Sequence, residues 1–191
     1  MDLRTQKTKQ ALTDSFLYFL KKKNLNQITV AEITRKANIG RGTFYLHYKD
    51  VFDLYDEIGN QLYFEMETFF DKAYPSTDST NLMNLTNALT EYIEHKRELF
   101  LLLNKPEDNG QTFNKFKTLF TEKVLLEAPE LYTSEYDEVE SMFIVSGVIG
   151  VLEEWLLSGL VIPQKKLADY LHQVIKMFNP DKTLAQTKKY K

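Results

Sequence analysis

The chain has 191 residues, of which 43% are hydrophobic and 27% are charged, an ordinary soluble globular composition. It contains no cysteine, which excludes disulfides, thiolate metal sites and a cysteine nucleophile. The longest apolar run, residues 142–152, is too short to cross a bilayer. Because the N-terminus is polar and basic, without the apolar core of a signal peptide, we expect a cytoplasmic protein.

The net charge of −3 combines two regions of opposite sign. Residues 1–50 hold 10 Lys or Arg against 4 Asp or Glu, and residues 51–191 hold 14 against 23. The first region is therefore +6 and the second −9. This asymmetry indicates that only the N-terminal region approaches a polyanion such as DNA.

The first predicted helix runs from Leu3 to Lys23. Its apolar stripe consists of Leu12, Phe16, Phe19 and Leu20. The lysines at 21–23 would lie in its last turn, where positive charge suits the helix dipole, and we prefer this explanation to DNA contact. Better candidates for reaching phosphate or a minor groove lie at the start of the helix: Arg4, Lys7 and Lys9.

The segment from Thr29 to Asp50 predicts a helix, a tight turn and a second short helix. Thr29 and Glu32 have the spacing of a capping box, in which each side chain satisfies a backbone N–H at the helix start. Asn38 tolerates the left-handed conformation that ends a helix. Two short helices joined in this way form a helix-turn-helix, whose second helix can enter a DNA major groove.

The second helix of this motif should run from Arg41 to about Tyr48 and bury Phe44 and Tyr48, which are four residues apart. Its outer face is basic and aromatic, with no acid before Asp50. An αα-hairpin that binds nothing is the alternative, but this face favours DNA. The candidate DNA-binding residues are Thr29, Arg41, Gly42, Thr43, Tyr45, His47 and Lys49.

After residue 50 the periodicity predicts only helices. The first, capped by Asp50 and Asp53, should run to about Ala73 and join the N-terminal region to the rest; a loop follows over Tyr74–Thr80. Later helices are marked by residues 82–93, 98–104, 113–124, 135–159 and 163–178. The chain is therefore predicted to be all-α, with a helix-turn-helix domain over 1–50, a helical bundle over 51–178 and a flexible tail over 179–191.

The helix predicted over residues 135–159 is apolar on every side in its middle, MFIVSGVIGVL. Such a helix must be covered all round. A glycine inside a helix costs roughly 1 kcal/mol against alanine, and the close approach of another helix would compensate for Gly147 and Gly150. One flank would then face its own bundle and the other a second subunit, although a fully internal helix is the alternative.

The string Arg-Gly-Thr-Phe-Tyr-x-His-Tyr at 41–48, preceded by Thr-Val-x-x-Ile-x-x-x-Ala at 29–37, closely resembles the signature of the TetR/AcrR family of bacterial transcription regulators. The resemblance implies a homodimer formed through 135–159 and 163–178 that represses from a palindromic DNA operator and is released by a small molecule. Val51 departs from it, because members often have a lysine there, near the DNA backbone. Residues 143–159 also resemble a branch that includes regulators of dihydroxyacetone metabolism.

Aromatic residues are abundant, with 13 Phe and 11 Tyr. Several lie on helices that should face one another, which predicts a mostly apolar ligand pocket with a few polar groups such as Glu91. For any single aromatic residue, filling the core is the alternative. The candidate ligand-binding residues are Tyr92, His95, Phe100, Phe113, Phe116, Phe120, Phe143 and Trp155.

Sequence motifs for catalysis and metal binding are absent. The chain has no Gly-rich phosphate loop, no Gly-x-Ser-x-Gly and no His-Glu-x-x-His, and its three histidines lie in different segments. We therefore expect no enzyme, no metal and no cofactor. Two alternatives remain: a ligand-independent DNA-binding or architectural protein on the same fold, and an enzyme built on a helical bundle.

Overall fold

The computed structural model describes residues 3–73, 79–105, 112–127 and 134–178. Within these ranges the chain is helical and has no strand, so the all-α prediction is confirmed. The helices are α1 Leu3–Leu20, α2 Val30–Ala37, α3 Arg41–Tyr45, α4 Val51–Ala73, α5 Ser79–His95, α6 Arg97–Leu103, α7 Thr112–Glu127, α8 Glu135–Leu157 and α9 Gln164–Phe178. Most of the predicted loop, residues 74–78, and the predicted tail over 179–191 lie outside the described residues.

Helix α1 ends earlier than predicted, at Leu20 rather than Lys23. The N–H of Lys22 donates to the carbonyl of Phe19 at 2.8 Å, a contact that tightens the chain into a turn. The predicted place of the lysine run in the last turn of α1 is therefore wrong, because the three lysines follow the end of the helix. A short 3-10 helix, Leu25–Gln27, then leads to α2.

Helix α3 is also shorter than predicted and ends at Tyr45 instead of Tyr48. The N–H of His47 donates to the carbonyl of Phe44 at 2.9 Å, which closes a tight turn after the helix. Asp50 then caps α4, because its carboxylate accepts from the N–H of Asp53 at 2.9 Å, as predicted.

The chain forms two compact units. The N-terminal unit consists of Met1–Leu62 together with Leu102–Gly110, and the C-terminal unit consists of Tyr63–Leu101 and Gln111–Lys191. The compact N-terminal unit therefore extends past residue 50, the predicted limit of the DNA-binding domain. The reason is that the first turns of α4 bury Val51, Leu54 and Ile58 in it.

The core of the N-terminal unit is formed by buried side chains from its helices: Leu12, Phe16, Leu20, Ile33, Phe44 and Leu54. A salt bridge between Lys9 and Glu57, with Nζ–Oε1 at 2.7 Å, joins α1 to α4. Lys9, a predicted phosphate contact, is therefore engaged within the chain.

The end of α6 belongs to the N-terminal unit. The hydroxyl of Tyr55 donates to the carbonyl of Leu103 at 3.1 Å, and the ammonium of Lys105 donates to the carbonyl of Leu20 at 2.6 Å. The carbonyls at the end of a helix lack partners within that helix. Lys105 therefore completes the C-terminal end of α1.

In the C-terminal unit, α5 packs along α9 and α7 along α8. The amide of Gln164, at the start of α9, donates to the hydroxyl of Thr90 on α5 at 2.7 Å. The turn between α8 and α9 contains two residues with positive φ, Gly159 at 89° and Leu160 at 61°. The indole N–H of Trp155 holds this turn by donating to the carbonyl of Ile162 at 2.7 Å.

Helix α8 has one buried side and one exposed side within this chain. The buried side is formed by Ser141, Val145, Ile149, Leu152, Trp155 and Leu156. The exposed side is also apolar and includes Tyr136, Val139, Met142, Phe143, Val151 and Leu157. The alternative of a helix that is internal to its own bundle is therefore wrong. Of the helices in the described ranges, none is long and apolar enough to cross a membrane.

Candidate nucleic-acid interface

The start of α2 has the predicted capping box. The hydroxyl of Thr29 accepts from the N–H of Glu32 at 3.3 Å, and the carboxylate of Glu32 accepts from the N–H of Thr29 at 3.0 Å. Thr29 has an extended backbone, with φ −117° and ψ 148°. The box fixes the direction in which the chain enters α2, and it leaves Thr29 exposed at the positive end of the helix.

Lys23 reinforces this cap. Its ammonium donates to both oxygens of Glu32 at 2.8 Å and to the carbonyl of Gln27 at 2.7 Å. The hydrogen bond from Lys23, followed by that from Thr29, lowers the pKa of Glu32 to about 2. The ammonium of the preceding lysine, Lys22, donates to the hydroxyl of Tyr18 at 2.6 Å. These two lysines therefore have partners within the protein.

The turn between α2 and α3 depends on Asn38, whose φ of 55° and ψ of 43° are left-handed, as predicted. After it, the N–H of Ile39 donates back to the carbonyl of Thr34 at 2.9 Å. Gly40 has an extended backbone that any residue can adopt. Asn38 is therefore the residue that the turn requires, because few side chains tolerate its conformation.

The orientation of α3 is fixed by two aromatic residues, Phe44 and Tyr48. Both are buried, as predicted, and their ring centroids are 5.5 Å apart. Burial, together with the negative charge of Glu57, raises the pKa of the Tyr48 hydroxyl. With one side of α3 anchored in this way, its other side is directed to solvent.

The predicted DNA-binding residues remain accessible. Thr29, Arg41, Gly42, Tyr45 and Lys49 are exposed, and Thr43 and His47 are half-buried. Tyr45 has 58% of its surface exposed. A Cβ atom built on Gly42 would find open space, with no described heavy atom within 4 Å. The chain itself therefore does not require glycine here, which leaves room for an external partner.

One residue of this surface was missed by the sequence reasoning. Leu46 directly follows α3 and is 81% exposed, although leucine gains most from burial. A leucine within a helix-turn-helix ordinarily predicts core packing. The available signal was its position, two residues after Phe44 and two before Tyr48, which places it away from the buried side.

The residues that follow α3 are also held by the chain. The backbone N–H of Lys49 donates to the carboxylate of Asp53 at 2.8 Å, which places Lys49 beside the start of α4. Val51, where the resembled family often has lysine, is buried. That position therefore packs in the core and offers no phosphate contact.

Five of the eight candidate ligand-binding residues form one aromatic cluster in the C-terminal unit. The ring of Phe100 lies 5.7 Å from that of Phe113, 6.0 Å from that of Phe116 and 5.9 Å from that of Tyr92. Phe116 in turn stacks on Phe120 at 6.4 Å.

The other three candidates lie in different settings. His95 is exposed and lines an open recess of about 570 Å³, together with Phe69, Ala88, Glu91, Tyr92 and Glu94. Trp155 is buried beside the α8–α9 turn, and Phe143 is 63% exposed on α8. Tyr92 belongs to both the aromatic cluster and the lining of the recess, and its hydroxyl donates to Glu65 at 2.5 Å. Among the described residues, no group of three or more His, Cys, Asp or Glu could hold a metal.

Comparison with known proteins decides the family. A TetR-type family model described as "Transcriptional regulator C-terminal region" matches residues 80–177, half of the chain. The chain belongs to the TetR family of transcription regulators. The predicted membership of the TetR/AcrR family is thereby confirmed, and the family assignment places the chain among regulators rather than enzymes.

Two curated relatives are also transcription regulators of the helix-turn-helix type. The chain is 26% identical over 117 residues to the uncharacterized regulator YxbF of Bacillus subtilis, a match that covers 59% of this chain and 30% of YxbF. The chain thus spans under a third of YxbF. It is 23% identical to AcrR of Shigella flexneri, over 91% of this chain and 90% of AcrR.

The TetR fold is shared by solved structures. NalD of Pseudomonas aeruginosa, the secondary repressor of the MexAB-OprM multidrug efflux pump, superposes with a TM-score of 0.68. The match covers 93% of this chain and 98% of NalD at 18% identity. At such low identity, the likeness shows the fold alone.

Proposed function

We propose that this TetR-family protein is a homodimer that represses transcription from a palindromic operator and is released by a small-molecule inducer. Residues 1–50 act as the DNA-binding domain, and residues 51–178 bind the inducer and form the dimer. The main support is the exposed surface formed by α3 and the residues that follow it, which carries Arg41 and Lys49 and is opposite the buried rings of Phe44 and Tyr48. Two-fold symmetry would place the two α3 helices about one DNA turn apart.

In this proposal Arg41 and Gly42 read the bases. The guanidinium of Arg41, exposed at the start of α3, can donate two hydrogen bonds to a guanine edge. Gly42 lets the backbone approach the base pairs, which agrees with the open space at its Cα.

The remaining candidates hold the phosphates. Thr29 lies at the N-terminal end of α2, where the helix dipole and free N–H groups favour an anion. Hydroxyl, imidazole and ammonium groups around α3 add further donors. These donors belong to Thr43, Tyr45, His47 and Lys49.

The experiment begins with selection of bound DNA from a random pool, followed by gel-shift titrations of variants. We expect Arg41→Ala to cost roughly 1–3 kcal/mol and to relax the sequence preference. Lys49→Ala should weaken binding to all sequences alike. It should also reduce the slope of the logarithm of the binding constant against the logarithm of the salt concentration by about one. Lys117→Ala on α7 is the matched control and should change neither quantity. If Arg41→Ala keeps full selectivity, α3 does not read the bases as proposed.

The dimer is proposed to form through the exposed apolar side of α8 together with α9. On α9, Tyr170, Val174 and Met177 are exposed. Gly147 and Gly150 lie on the exposed side of α8, and the described part of the chain leaves open space at both. A second copy could therefore approach this backbone closely.

Gly150→Leu tests this interface. Within one chain the new side chain meets open space, so the fold should persist, whereas a partner helix would be pushed away. Gly59→Leu is the control, because Gly59 lies within α4 and also has open space around it. We expect sedimentation to show a dimer for the wild type and for Gly59→Leu, and a monomer or aggregate for Gly150→Leu. A wild-type protein that sediments as a monomer at micromolar concentration would refute the dimer.

An inducer is proposed to bind in the C-terminal unit among the aromatic residues around Phe100 and Tyr92. A ligand can release DNA only if it favours the conformation that does not bind DNA. Operator DNA must then weaken the inducer by the same factor by which the inducer weakens DNA. A thermal-shift screen followed by calorimetry, with and without the selected DNA, measures this factor. Equal affinities would show that the compound is not an inducer, and a screen without hits would favour ligand-free regulation.

A further inference from the structure

Leu46 has an unusual position for a large apolar residue. It is the most exposed large hydrophobic residue described, at 81%, and it lies within the segment that otherwise presents polar groups to DNA. Its N–H donates to the carbonyl of Gly42 at 3.2 Å, and its φ of −73° and ψ of −21° are helical. Leu46 therefore continues the outer side of α3 by one more position.

The residue one turn earlier makes this exposure greater. Side chains four residues apart on a helix are neighbours, and a helical side chain leans over the turn before it. For Leu46 that neighbour is Gly42, which has no side chain and has open space at its Cα. The leucine thus projects from α3 beside a stretch of bare backbone.

We propose that Leu46 packs against the 5-methyl group of a thymine in the major groove and sets a preference for thymine at one position of each half-site. This inference rests on the proposed DNA-binding function of α3. The thymine methyl is the one apolar group that base pairs present in the major groove. Leucine cannot donate or accept hydrogen bonds, so it has no favourable contact with the polar edges of the other bases.

The role of Leu46 differs from that of Arg41. Arg41 selects a base through hydrogen bonds, whereas Leu46 selects one through apolar contact. Burying one methyl-sized group contributes an amount that corresponds to about fourfold in affinity. The preference for this thymine should therefore be real but smaller than that for a guanine held by two hydrogen bonds.

The test replaces each thymine of the selected operator, one at a time, by deoxyuridine, which lacks only the methyl group. In gel shifts with the wild-type protein, we expect one position per half-site where deoxyuridine weakens binding by about fourfold. Leu46→Ala should weaken binding to the thymine operator and abolish the difference between thymine and deoxyuridine there. Leu46→Gln, a second variant of similar length, should abolish it as well.

Leu3→Ala is the matched control, because Leu3 is another exposed leucine of the N-terminal unit, at 65%. This variant should keep the full sensitivity to deoxyuridine. Urea denaturation should show unchanged stability for both Leu46 variants, since the side chain is exposed. The inference about Leu46 would be overturned if the wild-type protein had no deoxyuridine-sensitive position, or if the sensitivity persisted in Leu46→Ala. Neither result would contradict the proposed DNA-binding function. A pool that yields no bound DNA would overturn the proposed function and the inference about Leu46 with it.

Discussion

The two compact units differ in the contacts that stabilise each of them internally. In the N-terminal unit, the starts of α2 and α4 are fixed by hydrogen bonds between residues close in the sequence, such as Thr29 with Glu32 and Asp50 with Asp53. In the C-terminal unit, a cluster of aromatic rings joins segments that are far apart in the sequence, such as those of Phe70 and Phe120, whose ring centroids are 5.2 Å apart. Directional hydrogen bonds therefore fix the helix starts of the first unit, and ring packing joins distant segments of the second.

This difference has a physical consequence. A hydrogen bond weakens steeply when its angle changes, so a capped turn keeps its side chains in one orientation. Aromatic rings accept several arrangements at similar energy. The cluster around Phe116 contains both stacked and edge-to-face pairs. The ring of Tyr63 stacks on that of Phe116 with an interplanar angle of 14°, and the ring of Phe113 meets it edge-on at 83°. The capped helix starts of the N-terminal unit are thus held in one orientation, whereas the rings of the C-terminal cluster can rearrange at a small cost in energy.

The largest expected effect comes from removing a ring of the cluster. Phe100→Ala should lower the free energy of unfolding by roughly 3–5 kcal/mol, because Phe100 is fully buried between other rings. Phe64→Ala is the control, since Phe64 lies in the same unit and is 66% exposed, and it should change stability by less than about 0.5 kcal/mol. Urea denaturation measures both. Similar losses of stability in the two variants would mean that the aromatic cluster does not stabilise the C-terminal unit.

A smaller effect is expected from Lys105→Met, which removes the donor at the end of α1. The carbonyl of Leu20 would lose its charged partner, and the loss should be about 2 kcal/mol. Lys117→Met, on the exposed surface of α7, should leave stability almost unchanged. Equal denaturation midpoints for the two variants would mean that the Lys105 bond does not stabilise the N-terminal unit.

The capping box should contribute less again. Thr29→Ala removes the hydroxyl that accepts from the N–H of Glu32, and it should cost about 1 kcal/mol. Thr29→Ser keeps that hydroxyl and should retain most of the stability. If the serine variant is as unstable as the alanine variant, the methyl group of Thr29 rather than the cap is responsible.

The smallest effect concerns pH. Because Lys23 and Thr29 lower the pKa of Glu32 from 4.5 to about 2, ionised Glu32 stabilises the folded protein above pH 4.5, and this stabilisation is lost as the pH falls towards 2. The difference in stability between wild type and Glu32→Gln should therefore shrink over that range. Urea midpoints measured from pH 6 to pH 2 test this, and a difference that stays constant would contradict it.

Features of the N-terminal unit that depend on neighbouring residues could be predicted from the sequence. The capping box, the left-handed Asn38 and the buried pair Phe44 and Tyr48 were predicted correctly, because each depends on residues within a few positions. The partner of Lys9, which is Glu57, could not be predicted, because it lies far along the chain.

The C-terminal unit was less predictable for the same reason. Periodicity located its helices, but one sequence does not show which rings meet. The five aromatic candidates that cluster could not be separated beforehand from Phe143 and Trp155, which lie elsewhere. Leu46 was missed for another reason: its position between Phe44 and Tyr48 indicated the outer side of α3, but a leucine ordinarily predicts burial.

The bond between Lys105 and Leu20 also bears on how regulators of this kind can be recombined. A chimera that joins residues 1–62 of this protein to the body of a relative would replace Lys105, and with it the side-chain donor at the end of α1. Such a hybrid should fold less stably than either parent, even with a continuous α4. Exchange of DNA specificity should therefore succeed when residues 102–105 travel with the N-terminal segment, so the exchangeable module is discontinuous in the gene.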